Sequence, residues 1–167
     1  MLPPGPPPRY RAALPVCQDR PPEQAGACRR GAAMAVQLTK DSIDLGVVIR
    51  DSEAALRFYR DTLGFEHVAD MDMPGGATMH RLMCGTTLVK LVRLAEVPKD
   101  SNPPGGIPGG TGYRYFTISL SNLADVLATC ADAGYKVVWK EREIRPGVRV
   151  GMVEDPDGNW VEFLQQA

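Results

Sequence analysis

Four side chains with chemically useful groups occupy comparable positions in apolar strand patterns: Asp44, Lys90, Tyr115 and Glu162. The first of them, Asp44, lies between Ile43 and Leu45 in a strand whose alternate residues are apolar: Ile43, Leu45, Val47 and Ile49. Because successive strand residues point to opposite faces, each apolar set faces a core and the four polar groups face the other side. Two interpretations stay open: a structural ion pair of Lys90 with Asp44 and Glu162, or an anchoring charge or acid/base pair for an anionic ligand. A lysine surrounded by carboxylates stays protonated, which favours anchoring.

The strands that position these groups belong to a loose internal repeat. The stretch 43–68, IDLGVVIRDSEAALRFYRDTLGFEHV, returns in outline at 113–138, YRYFTISLSNLADVLATCADAGYKVV. Each copy has an alternating apolar strand, a polar helix cap, a helix-patterned run and a glycine followed by an aromatic residue. The repeat predicts two similar modules packed against each other. Two half-sheets facing one another would enclose a cup, a suitable place for small-molecule chemistry.

Each module has the pattern β-α-β-β-β. Module one spans 42–97, with a helix capped by Asp51 or Ser52 and three later strands at 65–71, 77–84 and 87–94. Module two spans 113–167, with a helix capped by Ser121 or Asn122 and later strands at 136–143, 148–153 and 160–164. The stretch 98–112, PKDSNPPGGIPGGTG, is nearly all turn formers, which predicts a linker or a mobile lid.

The segments LGVVIRDSEAALRFYRDTLGFE, GYKV and EDPDGNWVEFLQ resemble the vicinal-oxygen-chelate superfamily. That superfamily includes glyoxalase I, bleomycin-resistance proteins, extradiol dioxygenases and methylmalonyl-CoA epimerase. The resemblance covers residues 42–166 and implies an α+β fold. In this glyoxalase/bleomycin-resistance/dioxygenase fold, two βαβββ modules form a cupped mixed sheet. Members of this size are often homodimers, so the resemblance also implies a homodimer.

The resemblance further implies where a metal would bind. Enzymes of the family hold one divalent metal with His, Gln or Glu on the first and last strands of each module, and the matching positions here are Asp44, Lys90, Tyr115 and Glu162. Only Glu162 is a usual ligand type, and Asp44 is the other residue able to ligate Zn, Ni, Fe or Mn. Protonated Lys90 has no lone pair, and its charge repels a cation. We therefore expect no metal in the cup, and we expect these four residues and Tyr113 to bind a ligand.

The catalytic residues stay open, with Lys90, Glu162 and His80 as candidates. His80 lies in the predicted strand ATMHRLMCG and would serve as a general base near neutral pH. The alternative is an exposed or hydrogen-bonded strand histidine without a catalytic role. His67 is expected on a strand surface. Cys84 and Cys130 have no adjacent cue for thiolate activation and are interpreted as small apolar fillers.

Composition limits the partners and the location. A net charge of −1 gives no basic field for nucleic acid or anionic membrane, and no apolar run approaches the roughly 20 residues of a membrane span. The four cysteines lack CxxC spacing or a disulfide framework, which favours a reducing cytoplasm. Residues 1–33 are rich in Pro, Arg, Ala and Gly without apolar periodicity. This composition favours a disordered tail, or upstream translated sequence with the true start at Met34, over a transit peptide.

The sequence therefore predicts a small-molecule protein of this superfamily. The leading hypothesis is a glyoxalase-like lyase or isomerase homologue with a degenerate or absent metal site, which binds a small anionic or apolar ligand in the cup. One alternative is a divalent-metal-dependent enzyme of the glyoxalase I, epimerase or dioxygenase type, with displaced ligands such as His80. The other is a drug- or metabolite-sequestering protein of the bleomycin-resistance type. Whether the protein is an enzyme stays open.

Overall fold

The computed structural model describes residues 38–167, so the predictions for the 1–33 tail and for a start at Met34 lie outside the described residues. Module one consists of β1 (Leu45–Ile49), α1 (Ser52–Leu56), a π-helical turn (Arg57–Thr62), β2 (Glu66–Met73), β3 (Ala77–Cys84) and β4 (Thr87–Arg93). Module two consists of β5 (Tyr115–Ser119), α2 (Leu123–Asp132), β6 (Val137–Arg145), β7 (Val148–Glu154) and β8 (Trp160–Gln166). A short 3-10 turn, Ile107–Gly109, lies between them. The predicted βαβββ repeat is confirmed.

Each module forms its own four-stranded mixed sheet, with orders β1-β4-β3-β2 and β5-β8-β7-β6. In both sheets the first strand pairs in parallel with the last, and the remaining pairs are antiparallel. This topology follows from the helix between the first and second strands, because a parallel pair needs a crossover connection. Strands β1 and β5 therefore lie at the edges of their sheets.

The first helix departs from the regular helix that its sequence pattern predicts. It begins as expected, with the Asp51 carboxylate accepting a hydrogen bond of 3.0 Å from the Ala54 amide. It then widens into the π-helical turn, in which the Leu63 amide donates to the Phe58 carbonyl at 3.0 Å. The wider turn brings Phe58 and Tyr59 together into the core, both 0% exposed.

The second helix begins at the predicted place but is capped differently. Asn122 is its N-cap residue, and the Asn122 side chain makes no capping hydrogen bond. Instead, the Leu123 amide donates a 2.8 Å hydrogen bond to Gln165 Oε1 on β8. A side chain of the sheet thus accepts the hydrogen bond of a helix-terminal amide, for which the sequence pattern predicted a cap from Ser121 or Asn122.

The helix-covered faces of both sheets share one hydrophobic core. The Phe58 ring of module one meets the Tyr135 ring of module two edge to face, with centroids 4.7 Å apart. Residues from both modules fill the same cluster, among them Ile49, Leu82, Leu91, Leu123, Val153 and Phe163. The two modules therefore pack directly against each other, as the repeat predicts. Among the described residues, no helix has the length and hydropathy needed to cross a membrane.

Candidate functional site

A cavity of about 650 Å³ lies between the edge strands β1 and β5. Its wall consists of residues 43 and 45–50 around β1 and residues 113–116 around β5. The rim is completed by Leu94, by loop residues 98 and 100–102, and by the turn residues Asp157, Asn159 and Trp160. Gly46 faces open space in this wall, because a Cβ built there meets no atom within 4 Å.

The loop over the cavity, residues 98–112, is bound to module two. The Asn102 side-chain amide donates to Asn159 Oδ1 at 2.7 Å, and Arg114 donates to the Gly106 carbonyl at 2.7 Å and to the Pro103 carbonyl. Gly106 has φ +57° and lies against the Trp160 ring, where an added Cβ would come within 2.1 Å of ring carbons. Only glycine allows both this backbone conformation and this close approach.

The position of the Asp155–Trp160 turn is determined by a buried carboxylate. Asp155 is 5% exposed, and its oxygens accept hydrogen bonds from the Asp157 amide at 3.0 Å, the Asn159 amide at 2.7 Å and the Asn159 side chain at 3.0 Å. The fourth donor is the Tyr59 hydroxyl, 2.8 Å from Asp155 Oδ2. Because Tyr59 belongs to module one, this bond holds the turn of module two in a defined place beside the cavity.

The same turn places the Asp157 carboxylate in the cavity wall. Both oxygens of Asp157 accept from the Arg50 backbone amide at 3.3 Å. Burial raises the pKa of Asp157, and the neighbouring Asp155 charge adds to that rise, while the bond from Arg50 opposes it. The surroundings of Asp157 in the cavity wall thus disfavour its ionised form.

The predicted polar cluster is divided between the two sheets. Lys90 Nζ lies 3.9 Å from Asp44 Oδ2, and Asp44 also pairs with Lys40, whose hydrogen bond lowers the pKa of Asp44. Glu162 instead accepts a 2.6 Å hydrogen bond from the Thr117 hydroxyl. Within residues 38–167, no ion pair joins Glu162 to Lys90, so the expectation that both carboxylates neutralise Lys90 is wrong for Glu162.

Two of the five predicted ligand-binding residues line the cavity. They are Tyr113, which is 99% exposed, and Tyr115, which is 45% exposed. Asp44, Lys90 and Glu162 are not part of the cavity wall. The sequence analysis did not single out Asp157, Asn159 and Trp160, which complete the rim of the cavity.

The residues at the four family metal positions do not fit a divalent ion. The ammonium group of Lys90 lies beside Asp44, one of the two possible ligands, and would repel a second cation. The other possible ligand, Glu162, is hydrogen-bonded within its own sheet. Tyr115 offers only a phenol, a poor ligand while protonated. We therefore assign no chemistry to a metal in the cup.

His80 lies away from this cavity, on the helix-covered face of the first sheet. It is 6% exposed, and its ring bonds to Asp70 Oδ1 at 2.7 Å and to Ser52 Oγ at 2.8 Å. His67 Nε2 is also 2.7 Å from Asp70 Oδ1. His80 is therefore a buried strand histidine with both ring nitrogens hydrogen-bonded. Its partners Asp70 and Ser52 were not anticipated from the sequence.

Residues 41–163 match the family model of the Glyoxalase/Bleomycin resistance protein/Dioxygenase superfamily. The chain belongs to this superfamily. Several solved structures share the fold. A glyoxalase family protein from Bacillus cereus superposes with a TM-score of 0.69 at 12% identity, over 81% of this chain and 99% of the other. A putative glyoxalase family protein from Bacillus anthracis gives 0.59 at 19% identity, over 80% and 100%.

A mutant of glyoxalase I from Zea mays also superposes on this superfamily member, with a TM-score of 0.64 at 21% identity. That alignment covers 74% of this chain but only 44% of the maize protein. A sequence search of curated proteins gives no match. At these identities the structural likeness shows the fold alone.

Proposed function

We propose that this superfamily member binds a small, largely apolar molecule with an acidic group in the cavity between β1 and β5. It does so as a glyoxalase-like homologue that does not use the family's cup metal. The observation that carries the proposal is the cavity itself, whose volume of about 650 Å³ lies within the 300–1,000 Å³ typical of small-molecule sites.

The wall offers an apolar surface that a ligand would cover. Ile43, Val48 and Tyr113 line the cavity and are 76%, 53% and 99% exposed. Removing such surface from water is favourable by about 25 cal/mol per Å². Exposed apolar groups in β1 and just before β1 and β5 thus lie in one wall, which supports a ligand with a hydrophobic body.

The charged groups of the wall support an acidic substituent. Arg50 and Arg114 both line the cavity. Arg114 uses part of its guanidinium to bind loop carbonyls, and a guanidinium has five N–H donors, so further donors stay available to a ligand. Arg50 forms no ion pair within the described part of the chain. The wall also contains Asp100 and Asp157, so the arginine donors, and not a net positive charge, support the acidic substituent.

A thermal-shift screen tests this proposal. Aliphatic and aromatic carboxylates are offered to the full chain in the presence of a chelator, and then with Zn²⁺, Ni²⁺ or Mn²⁺. Binding at 100 times the Kd stabilises the folded state by about 2.7 kcal/mol, which is an easily measured rise in Tm. We expect such a rise with chelator present and no further rise with metal.

The variant Gly46→Trp places a large side chain in the open space of the cavity wall, and Met71→Trp is its matched control on an exposed position of β2. We expect Gly46→Trp to abolish the ligand-induced shift and Met71→Trp to keep it. Equal shifts in both variants, or a shift that disappears with chelator, would refute the proposal. Turnover of a bound ligand, measured by chromatography, would support the lyase or isomerase hypothesis over simple sequestration.

The oligomeric state and the cellular location are also proposals. A homodimer is supported by superfamily membership and would be detected as twice the chain mass in size-exclusion chromatography with light scattering; a monomeric mass would contradict it. A cytoplasmic location is supported by the free thiols of Cys84 and Cys130. Fractionation of cells that express the tagged chain would test it.

A further inference from the structure

We propose that His67, Asp70 and His80 form a binding site for a divalent transition metal, separate from the cavity and from the cup positions of the family. His67 Nε2 and His80 Nδ1 both lie 2.7 Å from Asp70 Oδ1. The three potential ligand atoms all lie within 4.8 Å of one another. Two imidazole nitrogens thus lie against one carboxylate oxygen, and the three groups come from two adjacent strands.

The site is built by an irregularity in the sheet. Asp70 and His80 are direct partners in the β2–β3 ladder, so their side chains lie on the same face. Residues three apart on a regular strand point to opposite faces, which would separate His67 from Asp70. The register shift between His67 and Ala69 removes that separation. A β-bulge of this kind commonly re-aims a side chain at a functional site.

The face that carries the site is the helix-covered one. His80 alternates with Leu82, which belongs to the shared core, and its second ring nitrogen reaches Ser52 at the start of α1. Lys90 pairs in register with Arg81, the residue between His80 and Leu82, and so lies on the opposite face. The proposed metal would therefore not compete with a ligand in the cavity.

Ser52 supplies the outer contact that a metal-bound histidine requires. If His80 binds metal through Nδ1, the ring proton lies on Nε2, which then donates to Ser52 Oγ, 2.8 Å away. Ser52 is free for this role, because Asp51 provides the helix cap. The two hydrogen bonds hold the orientation of the ring, and metal binding at Nδ1 would replace the proton that Nδ1 donates to Asp70 in the metal-free protein.

The donor set favours zinc-like ions over hard cations. Imidazole nitrogens suit Zn, Cu, Fe and Ni, whereas Mg²⁺ and Ca²⁺ prefer all-oxygen sites. Three protein ligands leave at least one position open to water or an external group. Solvent reaches the site through His67 and Asp70, whose side chains are 25% and 53% exposed, while the His80 side chain is 8% exposed and hydrogen-bonded through both ring nitrogens.

Zinc titration of the full chain against a chromophoric chelator, with Co²⁺ absorption as a second readout, tests the site. The variants are His67→Ala and Asp70→Asn, which change exposed side chains, and Asp72→Asn is the matched control on the same strand. We expect the wild-type protein and Asp72→Asn to bind one more equivalent of Zn²⁺ than His67→Ala and Asp70→Asn. Ser52→Ala should bind this ion roughly 10–100-fold more weakly, because only the outer contact is lost.

Loss of one equivalent in His67→Ala and Asp70→Asn, together with loss of the ligand-field absorption of Co²⁺ at that site, supports the proposal. Equal zinc binding in all variants places any bound metal elsewhere in the chain and overturns it. Absence of zinc binding by the wild-type protein at neutral pH also overturns it. Circular dichroism of each variant verifies that folding is retained.

Discussion

Replacing Tyr59 with phenylalanine is expected to lower the free energy of unfolding by roughly 1.5–3 kcal/mol, the range for a hydrogen bond to a charged group. The Tyr59 hydroxyl lies 2.8 Å from Asp155 Oδ2, and these residues are 0% and 5% exposed. The variant keeps the ring in the core but leaves a buried carboxylate one donor short. Asp155 retains its donors from Asp157 and Asn159, so we expect a value toward the lower end.

Urea unfolding measures this change. With a slope of about 2 kcal/mol per molar urea, the midpoint should fall by about 1 M. The control is Tyr135→Phe, because no hydrogen bond of the Tyr135 hydroxyl occurs among the described residues. We expect the control to stay within about 0.5 kcal/mol of wild type. Equal midpoints for the two variants would refute the idea that this bond joins the modules.

The pH dependence gives an independent check with a defined sign. Burial raises the pKa of Tyr59 well above its usual value, and the Asp155 charge raises it further. The folded state then holds the phenolic proton more tightly than the unfolded state. This contribution is fully present below the unfolded pKa of about 10 and is lost as pH rises from there toward the folded pKa. Stability should therefore fall less steeply above that pH in Tyr59→Phe, and identical slopes would count against the assignment.

Three further changes test other parts of the structure. Gly106→Ala should lower the free energy of unfolding by about 1–3 kcal/mol and alter Trp160 fluorescence, because Gly106 has φ +57° and an added Cβ would overlap the Trp160 ring. An unchanged emission spectrum and an unchanged urea midpoint would show that the loop does not pack on the indole. Asp157→Asn should strengthen binding of carboxylate ligands at neutral pH, since it removes a negative charge from the cavity wall; unchanged or weaker binding in a titration would contradict an anionic ligand there. Lys90→Met should change stability by less than about 1 kcal/mol, because its contact with Asp44 is 3.9 Å long and both side chains are about one-third exposed; a larger loss by urea unfolding would mean that this pair is a structural requirement.

Local patterns were sufficient to predict the elements of the fold. The alternation around β1, the Asp51 cap and Gly64, with φ +75°, all depend on residues close in sequence. The repeat then predicted two equivalent modules. The cap of α2 was not predictable in this way, because the partner of Leu123 is Gln165 on β8, 42 residues away.

The candidate site was predicted only in part. Strand parity and family resemblance selected Tyr113 and Tyr115, which line the cavity, but they also grouped Lys90 with Glu162. Parity states which face a side chain uses and says nothing about the distance between two sheets. In the structure those two residues belong to different sheets and pair with Asp44 and Thr117 respectively.

The sequence alone determined the two-module architecture and predicted which residues occupy the family's metal positions, because both depend on residue types at regular local spacing. Tertiary structure decided where two long-range constellations form. Tyr59 meets Asp155 across 96 positions, and the bulge beside His67 turns it toward Asp70 and His80. The physical reason is that hydrogen bonds and metal sites require distances correct to a few tenths of an ångström. Only the π-helical turn, the strand register and the packing of the two sheets set those distances.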